Sequence, residues 1–90
     1  MRKIDPTNAF KRDLKRMKKR GKSRDELEKI IQLLAEDEPL PSRCRPHKLS
    51  GQWIGYWECH IEPDWLLVYD LDAPETLTLV ATGSHSDLFR

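Results

Sequence analysis

The three histidines of this chain, His47, His60 and His85, all lie in its second half, each close to a carboxylate or a proline turn. Imidazole changes charge nearest neutral pH, so a histidine beside a carboxylate is suited to passing protons. Glu58 stands two residues before His60, and Asp64 follows across Glu62 and Pro63. If residues 53–61 form a strand, Ile54, Tyr56, Glu58 and His60 share one face and Trp53, Trp57, Cys59 and Ile61 the other. The second set is the better core face, which leaves Glu58 and His60 on the open side, roughly 7 Å apart over two strand rises. Cutting RNA without a metal needs such groups: a base for the 2′-hydroxyl proton, an acid for the leaving 5′-oxygen, and cations against the phosphorane. The plain alternative makes His60 a surface residue and Asp64 a turn former. It wins for any residue taken singly, and for the group the two readings stand level on chemistry alone.

Other chemistries fit less well. No two histidines have helical i, i+4 or finger spacing and no CxxC accompanies them, so no metal site is expected. The run His60-Ile61-Glu62 opens like a zinc deaminase motif but lacks its P-C-x-x-C. Cys59 alternates onto the presumed core face, where a thiol is neutral and inert. The four glycines are scattered and form no phosphate-cradling loop, and no cofactor is implied. Cys44 and Cys59, fifteen apart, read as reduced thiols, and with no apolar run of membrane-spanning length or leader-like start the expected compartment is the cytoplasm.

These side chains must be positioned by a small fold. Ninety residues suit one domain spanning 1–90, and three tryptophans with several Leu/Ile/Val clusters supply a core despite 34% charged residues. Phe10, Leu14 and Met17 recur at helical spacing up to Gly21, behind a turn and cap at Pro6-Thr7-Asn8. Ser23, three residues before Glu26, has capping-box spacing, and Leu27, Ile30, Ile31 and Leu34 mark a second helix stopped by Pro39 and Pro41. The two helices are expected to form an antiparallel hairpin. Residues 36–51 read as a long loop. After it come three strand patterns, WIGYWECHI, WLLVYDL and TLTLVAT, an antiparallel meander, and a tail over residues 83–90 whose Leu88 and Phe89 dock on the sheet. Residues 2–4 add an edge strand. The expectation is an α+β domain with its helices on one face of a sheet.

Charge is segregated along this plan. Residues 1–25 hold eleven Lys/Arg against three Asp, a surplus of eight, while the remainder is net negative by seven. The first helix carries Lys11, Lys15, Arg16, Lys18, Lys19 and Arg20, a cationic surface suited to a polyanion.

Three runs carry a family resemblance: His47-Lys48-Leu49-Ser50-Gly51-Gln52-Trp53-Ile54-Gly55-Tyr56, His60-Ile61-Glu62-Pro63-Asp64-Trp65 through Tyr69, and Thr82-Gly83-Ser84-His85-Ser86-Asp87-Leu88-Phe89. Together with the helical hairpin before them, they resemble the YafQ branch of the RelE/ParE toxin superfamily over essentially the whole chain. The resemblance implies a βααβββ domain that enters the A site of the 70S ribosome and cuts the exposed mRNA codon without a metal. It further implies a cognate antitoxin, with a ribbon-helix-helix DNA-binding domain, that blocks it. By motif position His85, Asp64, His60, His47 and Glu58 would be catalytic; Glu58 departs from the family's usual aspartate. Phe89, Arg45 and Lys48 would contact substrate, Phe89 by stacking on a base. The basic helix would face ribosomal RNA. A gyrase-poisoning toxin of the ParE branch shares the fold without nuclease chemistry, and the three motif histidines speak against it. A non-catalytic nucleic-acid-binding module would be supported equally well by the basic helix alone.

Overall fold

Thr7 joins the first strand to the first helix. Its hydroxyl accepts from the Phe10 amide, an otherwise unpaired donor of the helix start, and lies within hydrogen-bonding reach of the Leu79 carbonyl. In the computed structural model, which describes residues 1–89, the chain runs β1 (Lys3–Pro6), α1 (Asn8–Lys19), α2 (Arg24–Ala35), a 3-10 turn (Ser42–Cys44), β2 (His47–Lys48), a second 3-10 turn (Gly51–Trp53), β3 (Trp57–Glu62), β4 (Trp65–Asp70), β5 (Thr76–Gly83) and α3 (His85–Leu88). Arg90, the end of the expected tail, lies outside the described residues. The class is α+β, as the sequence predicts.

The sheet has the order β1-β5-β4-β3-β2. β1 runs parallel to β5, and the other pairings are antiparallel. The expected edge strand is therefore present, displaced to residues 3–6. β2 was not expected: it lies inside the segment read as a loop, where His47 pairs with Glu58 and Lys48 with Trp57. Two residues carry no alternation, so only the unpaired edge of β3 defines such a strand.

The expected first strand of the meander begins four residues late. Gly51 and Gly55 adopt φ of 67° and 94°, the left-handed region that favours glycine, and residues 51–53 turn as a 3-10 helix. Trp53, Ile54 and Tyr56 therefore do not alternate with β3. Cys59 and Ile61 do face the core, and Trp57 packs at its margin.

That core lies between the helices and one sheet face. Phe10 and Met17 of α1 and Leu27, Ile30 and Leu34 of α2 meet Cys59, Ile61, Trp65, Leu67, Tyr69, Leu77 and Leu79. Each large apolar side chain so buried contributes about 1.5–3 kcal/mol. Ser23 caps α2 through the Asp25 amide, not in a box with Glu26, whose carboxylate instead meets Arg43 and Lys29. α2 stops at Ala35, before either proline, and Asp37 turns the chain with φ 55°.

The opposite sheet face is not open. Trp65 to Tyr69 of β4 are all buried although their side chains alternate, so both faces of this strand are covered. Leu66 and Val68 form the floor of the second face. On it Glu58, expected to be open, is only 5% exposed.

Candidate active site

His60 sits in β3 opposite Leu66 of β4, which in turn pairs with Gly83 of β5. One row across the sheet thus brings the end of β5, and His85 just beyond it, to the level of His60. A bulge between His60 and Glu62 interrupts the ladder beside the histidine, the kind of irregularity that re-aims a side chain. The two imidazoles face each other with ring centroids 5.7 Å apart.

Each has a carboxylate. Asp64, on the turn between β3 and β4, accepts from the His85 backbone amide at 2.9 Å and from its Nδ1 at 2.7 Å. With Nδ1–H committed to an acceptor, Nε2 is the atom left for a substrate. The backbone amide and then the ring hold the Asp64 carboxyl below its usual range. Both side chains remain more than half exposed, at 54% for His85 and 68% for Asp64. Glu58 lies behind His60, with Oε1 4.0 Å from its Nε2, and reaches the Nε2 of His47 at 3.7 Å through its other oxygen. Cross-strand pairing of His47 with Glu58 sets this contact. The Arg45 carbonyl accepts from His47 Nδ1 at 3.0 Å, which turns Nε2 toward Glu58. His60 Nδ1 is buried without a hydrogen-bond partner among the described residues.

All five residues expected to be catalytic therefore converge as two histidine and carboxylate groups. Glu58, His60 and His85 also offer three ligand atoms within 4.8 Å of one another, a set able to hold a metal ion. The sequence gives no sign of it, because the three come from a strand and from a helix start far along the chain.

Among the expected substrate contacts, Arg45 lines a cavity of about 300 Å³ with Arg43, His60, Ile61, Glu62 and Pro63, giving His60 a cationic neighbourhood. Phe89 lies 6.5 Å from the His85 ring. Lys48 is not brought to the histidines: its ammonium lies 5.8 Å from the Trp57 ring, on the other side of β2 from His47. On α1, Lys11, Lys15, Lys18 and Lys19 are exposed, whereas Arg16 and, just past the helix end, Arg20 reach Asp87.

Two residues were missed. Trp53, assigned to a strand's core face, packs edge-on against Phe89 at 5.8 Å and Tyr56 at 6.3 Å, forming an aromatic wall beside His85. The glycines flanking it at 51 and 55 were the available signal. Asp87 completes a capping box with Ser84 at the start of α3, and the three-residue spacing in Ser84-His85-Ser86-Asp87 is its signal in the sequence.

The model of the bacterial toxin of type II toxin–antitoxin systems, YafQ, matches residues 2–90. The mRNA interferase toxin YafQ of Escherichia coli strain K12 is 37% identical over 89 residues, covering 98% of this chain and 96% of that one. Among solved structures, the toxin in the E. coli DinJ–YafQ toxin–antitoxin complex superposes with a TM-score of 0.88 at 37% identity, covering 99% of this chain and 98% of that one. A metal-bound toxin from Helicobacter pylori superposes with a TM-score of 0.91 at 41% identity, covering 99% and 100%. Sequence match and superposition both run nearly the full length, so this chain belongs to the YafQ family of bacterial toxins of type II toxin–antitoxin systems.

Proposed function

We propose that this chain is an endoribonuclease that cuts mRNA in the A site of the 70S ribosome by proton transfer between histidines, with no metal in the reaction. The observation that carries this reading is the His85–Asp64 pair set 5.7 Å, ring to ring, from a second imidazole with its own carboxylate. His60 takes the proton of a 2′-hydroxyl through Nε2, the ring nitrogen that is not shut away from solvent, beside the Glu58 carboxylate. The 2′-oxygen then bonds to the adjacent phosphorus as the bond to the 5′-oxygen breaks. His85 gives that oxygen a proton from Nε2, leaving a 2′,3′-cyclic phosphate and a 5′-hydroxyl. Asp64 fixes the tautomer and direction of His85 throughout. His47 orients Glu58, Arg45 supplies positive charge near the phosphate, and Phe89 stacks on a base.

With His85 and Asp64 more than half exposed, the site holds RNA poorly for in-line attack unaided, and a ribosome that orders the codon supplies that orientation. The exposed lysines of α1 suit a ribosomal RNA surface, and such a target places the protein in the cytoplasm. The activity named for the E. coli relative and its complex with DinJ support the same reading and a cognate antitoxin; a ribbon-helix-helix DNA-binding domain in that antitoxin is part of the proposal. A gyrase-poisoning toxin on this fold would have no use for the paired imidazoles.

The test is translated mRNA cut in vitro, with transition metals chelated at the magnesium concentration ribosomes require. The expected product ends in a 2′,3′-cyclic phosphate or its 3′-phosphate. Added zinc or copper is expected to inhibit reversibly, since a cation held by Glu58, His60 and His85 occupies the lone pairs that proton transfer uses. A 3′-hydroxyl end, or cleavage that requires added transition metal, would overturn the mechanism.

A further inference from the structure

α3 carries His85 at its first position and ends just before Phe89, yet it is only four residues long. A single turn of helix does not hold itself together in water, so contacts from elsewhere must fix its position. One is the Asp64 carboxylate at the amide and ring of His85. The other lies at Asp87. Its Oδ2 accepts from the Ser84 amide at 2.9 Å, while Ser84 Oγ accepts from the Asp87 amide at 3.2 Å. The same carboxylate is gripped by Arg20 through two parallel bonds, 2.6 Å to Oδ2 and 3.0 Å to Oδ1, and Arg16 stands 3.8 Å away. Paired bonds between guanidinium and carboxylate fix orientation as well as distance. Asp87 is 15% exposed, and its carboxyl is held far below the usual range, first by Arg20 and then by Ser84. There is no slack beneath it: a Cβ on Gly83 would lie 2.9 Å from both Asp87 Cβ and Oδ2.

We propose that Asp87 is a positioning residue for the reaction, and that Arg20, at the end of α1, sets the active geometry of His85 and Phe89 by clamping it. The helix is held by two anchors, the β3–β4 turn through Asp64 at His85 and Arg20 just past α1 through Asp87. Rotation of this one turn changes the separation of His85 from His60 and of Phe89 from Trp53 together. Arg16 and Arg20, which charge alone would place on the polyanion-facing surface, are engaged with Asp87 while their side chains stay 40% and 43% exposed. The inference rests on the reading that His85 takes part in proton transfer.

The experiment compares Arg20→Gln, Arg20→Lys, Asp87→Asn and, as reference, His85→Ala, using the full chain on ribosome-bound mRNA. Single-turnover cleavage, ribosome affinity and the imidazole nitrogen shifts of isotope-labelled protein are measured for each. Displacement of a reacting group by about 1 Å costs on the order of 10²-fold in rate. Arg20→Gln and Asp87→Asn should therefore cleave roughly 10- to 100-fold more slowly at saturating ribosome, with affinity changed less than about twofold. Arg20→Lys should recover part of the rate, and the His85 ring signals should move while those of His47 stay. If His85→Ala is inactive but Arg20→Gln and Asp87→Asn keep the parental bound rate and His85 signals, the clamp has no positioning role. Loss confined to ribosome affinity would make Arg20 a docking contact and equally overturn it. Parental cleavage by His85→Ala would instead sink the reading of the site itself.

Discussion

Trp53 forms one wall of the space in which a base would meet Phe89, and its removal should be felt in rate. Stacking of a base on an aromatic ring is worth about 1–3 kcal/mol. Trp53→Ala is accordingly expected to slow single-turnover cleavage roughly tenfold or more, and Trp53→Phe to retain most of it. Parental rates in Trp53→Ala would show that Phe89 acts without this wall. That His47, His60, Asp64 and His85 belong together was legible from the motif runs and their family resemblance, whereas residue types alone left a surface histidine and a turn-forming aspartate as an equal reading. Trp53 was not, because a tryptophan at core-face spacing looks the same whether it lies on a strand or on a turn bounded by two left-handed glycines. The burial of Glu58 was hidden for a related reason. Alternation places a residue on a face but does not say that the other side of the sheet is covered too.

At the level of elements, both long helices and the three long strands follow from periodicity and capping residues. The two shortest elements do not. β2 exists through its pairing with β3 and α3 through contacts to Asp64 and Arg20, so their causes lie far away in sequence. Leu88 and Phe89 were expected to dock on the sheet; the tail instead forms a helical turn capped through Asp87, and Phe89 meets Trp53 of a 3-10 turn. A carboxyl whose folded value lies below its unfolded one stabilises the fold above about pH 4, and that contribution fades as pH falls through the folded value. The parent is therefore expected to melt a few degrees above Asp87→Asn at pH 6, with the gap narrowing steadily in acid below about pH 4. Thermal melts of both proteins across that range check it. A gap that stayed constant into strong acid would mean that the Asp87 charge contributes nothing to stability.

The two signs of charge separate along the chain, and the fold pairs part of the N-terminal surplus with the acidic half: Arg2 meets Asp37, Lys22 meets Glu62 and Arg20 meets Asp87. Lys11, Lys15, Lys18 and Lys19 point outward, while Arg16 and Arg20 are turned toward Asp87. Neutralising the four lysines together is expected to weaken ribosome binding and to flatten its logarithmic dependence on salt by up to about 3, because fewer counterions are released. Melting temperature and antitoxin binding should change little. Binding with the parental salt slope would remove α1 as the docking surface. The parallel pairing of β1 with β5 also governs when the fold can be completed during synthesis. Lys3 waits for Thr76 as its partner, and the His85–Asp64 pair needs the turn that follows β5. Contacts this distant close late. A nascent chain therefore holds an incomplete sheet, and His60 without His85 across from it, until residues 76–88 have emerged.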